Sequence, residues 1–99
     1  MSLNELSVPP AVLEDEQAFE ILRLWAALGE QHVTIRPDLS GDAYDFGYLL
    51  AQLAGHGARL YAQRSNQSVE ECRSQILRGF NAEIADPTGD GSGSIPTDH

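Results

Sequence analysis

The sequence predicts an α+β domain that is dominated by helices, with three helices and one or two short strands. Two segments, 42–64 and 68–85, place apolar residues at helical spacing behind good N-cap residues, and segment 15–28 shows similar spacing. Between the first two helices, segment 31–36 alternates apolar and polar residues, which is typical of a half-buried strand. The 41% of apolar residues is enough for a small core.

The chain opens with residues 3–8, which fit a strand or an extended segment weakly, and Pro9 and Pro10 interrupt them. The first helix is predicted from its N-cap Asp15 to Leu28, with Trp25 on its apolar face. Gly29 then fits the left-handed position that follows a helix.

The strand predicted over residues 31–36 ends at Pro37, and it needs a neighbour. A lone strand leaves a row of backbone N–H and C=O groups without partners. We therefore expect it to pair either with residues 3–8 or with its own copy in a second subunit.

The second helix is predicted from the N-cap Asp42 to about Arg64. His56 shares a face with leucines at helical spacing, which predicts a buried histidine that is hydrogen-bonded within the core. Another face carries small residues, among them Gly47, Ala51 and Gly55, which would let a second backbone approach closely.

The third helix has a clear start, because Ser68 and Glu71 stand at the spacing of a capping box. Cys72 lies on its apolar stripe and is expected to pack as a small hydrophobic side chain. Asp86 and Pro87 end the helix, and residues 87–99 contain too little apolar surface to order. We expect one compact domain at 1–86 and a disordered acidic tail rich in glycine and serine at 87–99.

The net charge of -9 is concentrated at the two ends of the chain, and the middle is nearly neutral. This argues against a nucleic-acid partner, because duplex binding relies on clustered positive charge. No stretch is apolar enough to span a membrane, and no leader is visible, so we expect a cytoplasmic protein with no membrane partner. The single cysteine excludes a disulfide framework within one chain.

No set of residues resembles a known catalytic site, so we predict no catalytic residue, no metal site and no cofactor. The histidines His32 and His56 could share a metal with Glu83, but their spacing gives no support. The arginines around the turn between the second and third helices offer an anion site as an alternative to a solvated surface. The candidate ligand-binding residues are His56, Trp25, Arg59 and Arg73.

Six short motifs follow one another along the chain: Val8-Pro9-Pro10, Glu20-x-x-Arg23-x-Trp25, Gln31-His32-Val33-x-Ile35-Arg36, Gly47-x-x-Leu50-Ala51-x-Leu53-Ala54-x-His56, Gly79-Phe80-x-x-Glu83 and Pro87-Thr88. In their order and spacing, these motifs resemble a small bacterial family, the domain of unknown function 5076. Members of that family often look as if they carry a tryptophan at the position of Phe46. The resemblance implies a compact α+β domain and implies no activity, substrate or cofactor.

Three functions are consistent with these observations. The first is a non-enzymatic homodimeric interaction module, favoured by the strand that needs a neighbour, by the small-residue face and by the missing catalytic set. The second is a small-molecule binding protein or weak enzyme with a pocket near His56, Trp25 and the arginines. The third is an acidic adaptor whose charged ends meet a basic protein partner.

Overall fold

The computed structural model describes residues 3–88, and in this part of the chain it contains three helices and one two-stranded sheet. This confirms the helix-dominated α+β class. None of the described helices is long and apolar enough to cross a membrane. Most of the predicted tail, residues 89–99, lies outside the described residues. The elements are α1 (Pro10–Glu14), β1 (Leu22–Ala27), β2 (Glu30–Ile35), α2 (Ala43–Gln63) and α3 (Val69–Ala85).

The helix predicted over residues 15–28 is wrong, because most of its second half is a strand. The first helix is the five-residue α1, which begins at Pro10, and β1 occupies most of the second half of the predicted helix. Asp15 instead supports a turn, because its carboxylate accepts a hydrogen bond from the backbone N–H of Gln17 at 2.9 Å. Leu28 and Gly29 both have positive φ, 54° and 74°, and they form the tight turn of a hairpin rather than a helix end.

The two strands form an antiparallel hairpin with a register that runs from Leu22 opposite Ile35 to Ala27 opposite Glu30. The predicted strand is confirmed, and its neighbour within the chain is β1 rather than residues 3–8. Pairing of its other edge with a second copy stays a prediction. Side chains alternate along the strands, so Leu22 and Leu24 share one face with Val33 and Ile35.

The predictions for α2 and α3 are confirmed to within a residue or two. Each helix begins with a complete capping box, formed by Asp42 with Asp45 and by Ser68 with Glu71. In each box the cap side chain accepts a hydrogen bond from the backbone N–H three residues later. The carboxylate of that later residue accepts a hydrogen bond from the backbone N–H of the cap residue.

The helices α2 and α3 pack along a line that contains the two buried residues of the described chain, Ala58 and Cys72. The buried position of Cys72 is as expected. Close approaches between elements are confined to β1 with β2 and to α2 with α3. The hairpin and the helix pair therefore do not share a packed core, and large apolar side chains on every element remain exposed.

Candidate functional site

A groove of about 660 Å³ separates the base of the hairpin from α2. One wall is the segment that leads into β1, and the other is a row of leucines on α2. Polar side chains stand at one end. The main lining residues are Phe19, Ile21, Leu22, Leu49, Leu50, Leu53, Gln52, His56 and Arg59.

Arg36 at the end of β2 holds the hairpin wall of the groove in place. Its backbone N–H donates to the carbonyl of Ile21 at 2.9 Å, and its Nε donates to the carbonyl of Glu20 at 2.7 Å. Its guanidinium group also lies over the Phe19 ring, 5.0 Å from the ring centroid. These contacts position Phe19 and Ile21, which the sequence had assigned to a helix.

The polar end of the groove is built on one turn of α2. A guanidinium nitrogen of Arg59 donates to Nδ1 of His56 at 2.8 Å. Because an arginine only donates, Nδ1 accepts in this contact, which places the imidazole proton on Nε2. Within residues 3–88 the other N–H groups of Arg59 make no side-chain hydrogen bond or ion pair, so they can meet a ligand at the groove.

The prediction that His56 is a buried core histidine is wrong, because its side chain is exposed. The reason is the direction from which α3 packs. It contacts the side of α2 marked by Ala58 and Gly57, where a Cβ added at Gly57 would lie 3.6 Å from Ile76 Cδ1. Glu83 of α3 accepts a hydrogen bond from the backbone N–H of Thr88 at 3.0 Å.

The structure brings together two of the four residues that the sequence selected. His56 and Arg59 meet in the groove, whereas Trp25 lies half-buried on β1 in a separate depression beside Leu6 and Val8. Arg73 is exposed on α3 and does not line the groove.

The groove differs in charge from the rest of this acidic chain, because none of its lining side chains is a carboxylate. The ion pairs within residues 3–88 use other arginines: Arg23 pairs with Glu5 and Glu20, and Arg36 with Asp38. A hydrogen bond from Arg23 to Glu20, together with the charge of that carboxylate, raises the pKa of Arg23.

The groove offers an apolar surface with a cationic end, and its lining contains no serine, threonine, cysteine or lysine nucleophile. Within residues 3–88, no group of three or more histidine, cysteine or acidic side chains is placed to hold a metal ion. The arrangement is suited to holding an anionic or apolar group.

Comparison with known proteins supports the fold and gives the family. A solved structure from the photosynthetic bacterium Rhodopseudomonas palustrus CGA009, named as a "putative pyruvate dehydrogenase", is similar to this chain with a TM-score of 0.71 and 31% sequence identity. The alignment covers 97% of this chain and 97% of that one. No curated protein matches. The family described as domain of unknown function (DUF5076) matches residues 5–88, so the resemblance seen in the sequence is confirmed and the chain belongs to that family.

Proposed function

We propose that the chain is a non-enzymatic homodimeric interaction module, in which a second copy covers apolar surface that one copy leaves open. The observation that carries the proposal is the small core: within the described chain only Ala58 and Cys72 are buried. A soluble domain rarely leaves apolar side chains exposed on every element unless a partner covers them.

The surface that best fits a second copy is the helix face, which we define as Tyr44, Tyr48, Leu77, Phe80 and Ile84. Helical spacing places Tyr44 and Tyr48 on one stripe of α2, and the other three on one stripe of α3. Both stripes are rotated by about a quarter turn from the α2–α3 contact, toward the same side of the pair. The helix face borders the groove, because Tyr48 lies on the same stripe of α2 as the groove residues Gly55 and Arg59.

The helix face supplies a large part of the apolar area that a standard interface needs. Tyr44, Tyr48 and Phe80 are 81%, 64% and 50% exposed. With about 200 Å² per aromatic side chain, they alone present roughly 400 Å², which is half of the ~800 Å² that one partner buries in a standard interface. Leu77 and Ile84 extend the same apolar surface.

A twofold dimer would bury the same face on both copies and would place four helices together. The small residues Gly47 and Ala51 lie beside the tyrosines on α2, and a Cβ added at Gly47 would meet no atom within 4 Å. A partner helix can therefore approach this part of α2 closely.

The experiment is a mass measurement by light scattering after size exclusion, at tens of micromolar protein. We expect the wild type to be a dimer and Phe80→Glu to be a monomer, because the new charge would be buried without a partner. Ala82→Glu is the matched control, since it adds the same charge to an exposed position of α3 on another face. Circular dichroism checks that each variant keeps its helices. A monomeric wild type contradicts the proposal.

A second candidate function, small-molecule binding, is favoured by the groove with its His56–Arg59 pair. The groove borders the helix face along α2, and its lining residues are not among the five residues of that face. The prediction of a third function, an adaptor for a basic partner, stays a prediction.

A further inference from the structure

We propose that the groove binds an amphiphilic carboxylate, a straight-chain acid of ten to twelve carbons, with its head at Arg59 and His56. The apolar chain would lie along the leucines of α2, toward Phe46. This inference rests on the small-molecule binding function proposed for the groove, and it does not depend on the homodimer.

The charge of the groove indicates that its ligand has an acidic head group. The whole chain carries a net charge of -9, yet no acidic side chain lines this groove. Arg59 has no ion-pair partner within residues 3–88, and its one side-chain hydrogen bond there goes to a neutral acceptor, Nδ1 of His56. The planar guanidinium group can bind both oxygens of a carboxylate at once, and such a charged pair is stronger than the bond to imidazole.

The mainly apolar walls of the groove indicate that its ligand has a hydrocarbon chain. Leu49, Leu50 and Leu53 line one wall and Phe19 and Ile21 the other, so apart from Gln52 both walls are aliphatic or aromatic. From Leu49 to Arg59 the helix rises by about 15 Å, which is the length of an extended chain of ten to twelve carbons. The volume of about 660 Å³ lies within the range of small-molecule sites.

The acidic side chains at the opposite end of the groove indicate which way the ligand lies. Beyond Leu49 the groove continues into a depression lined by Asp42, Asp45 and Phe46. Both carboxylates belong to the capping box of α2, so they are fixed beside the groove. They would repel an acidic head and leave Phe46 to contact the end of the apolar chain.

The experiment compares two probes of equal chain length, dodecanoate and the uncharged dodecanol, both below their aggregation limits. Calorimetric titration of the full chain should show dodecanoate binding at least about tenfold more tightly, as expected for a hydrogen-bonded charged pair. Arg59→Gln should bring the two affinities to within a factor of about two, and Arg59→Lys should keep part of the preference. Arg78→Gln is the matched control, because Arg78 is exposed on α3 and does not line the groove.

The outcomes separate this inference from the proposed functions. Equal binding of both probes to the wild type would overturn the carboxylate assignment and leave groove binding in place. A preference that survives in Arg59→Gln would also overturn the assignment, because the head would bind elsewhere. If neither probe binds, groove binding and the carboxylate assignment both fail, while the dimer measurement is unaffected. Arg59 is exposed, so we expect its variants to keep the helical circular dichroism of the wild type.

Discussion

The two hairpins of this molecule, one helical and one of strands, are stabilised in different ways. The helix pair has a complete capping box at the start of each helix and buries Ala58 and Cys72 at its contact. The strand hairpin has no buried residue, and Leu24 and Val33 of its apolar face are exposed. Capping and burial therefore stabilise the helix pair from within. The strand hairpin depends instead on the hydrogen bonds between its two strands and on any contact that covers its apolar face.

The strongest test of this comparison is Ala58→Asp, which places a charge at the closest contact of the helix pair. Ala58 is fully buried in the contact between α2 and α3. We expect a loss of about 3 kcal/mol in the free energy of unfolding, since an unpaired charge would have to be buried. Urea denaturation followed by circular dichroism measures this loss.

Ala82→Asp is the matched control for that variant, because Ala82 is exposed on α3. It should change the free energy of unfolding by no more than about 0.5 kcal/mol. Equal losses in the two variants would contradict the view that the line of contact at Ala58 holds the helix pair together.

The same difference explains which parts of the fold could be predicted from the sequence. Asp42 and Ser68 mark the starts of α2 and α3 by a chemistry that acts within one turn, so these helices could be located without tertiary information. The boundaries of β1 have no such local mark. Its apolar residues fit helical spacing and strand alternation about equally well.

Tertiary pairing decided between these two alternatives for β1. The backbone of β2 needs a neighbour, and the turn at Leu28 and Gly29 returns the chain directly alongside it. Gly29 was interpreted as a helix cap, because a glycine with positive φ serves both roles. The sequence signal that could have found the hairpin is this glycine, two residues after Ala27 and just before an alternating segment.

The candidate site could be predicted only in part. His56 and Arg59 stand three residues apart on α2, so their contact follows from helical geometry. The wall formed by Phe19 and Ile21 could not be predicted, because it depends on Arg36, which is distant in sequence. The exposure of His56 depends on the direction from which α3 packs, which spacing along α2 alone does not give.

A smaller effect is expected from Leu28→Asn, which tests the strand hairpin alone. Leu28 is 95% exposed and holds φ at 54°, a region that disfavours its side chain. Asparagine followed by glycine suits a turn in which both residues have positive φ, so we expect stabilisation by roughly 0.5 to 1 kcal/mol. Leu28→Ala should give no such gain, because alanine also disfavours this region. Thermal denaturation of both variants beside the wild type measures the difference, and an equal gain in both would contradict the turn assignment.

The smallest expected effect is a loss of stability at low pH, which should arise in the helix pair at the capping box of α3. The backbone N–H of Ser68 donates to Glu71 Oε1 at 2.8 Å, and this bond, with a further contribution from the Ser68 side chain, lowers the pKa of Glu71 below its ordinary value of 4.5. A carboxyl whose pKa is lowered by folding stabilises the protein above the pKa of the unfolded chain. That contribution is lost as the pH falls through the pKa of the folded state. Glu71→Gln removes the titration, so the stability difference between wild type and variant should narrow as the pH falls from about 7 to about 3.

Glu70→Gln is the matched control, because Glu70 lies in the same first turn without a described hydrogen bond. Urea midpoints at a series of pH values measure the effect. A difference for Glu71→Gln that stays constant over this range, or one that Glu70→Gln reproduces, would show that the capping box does not control the acid response of α3.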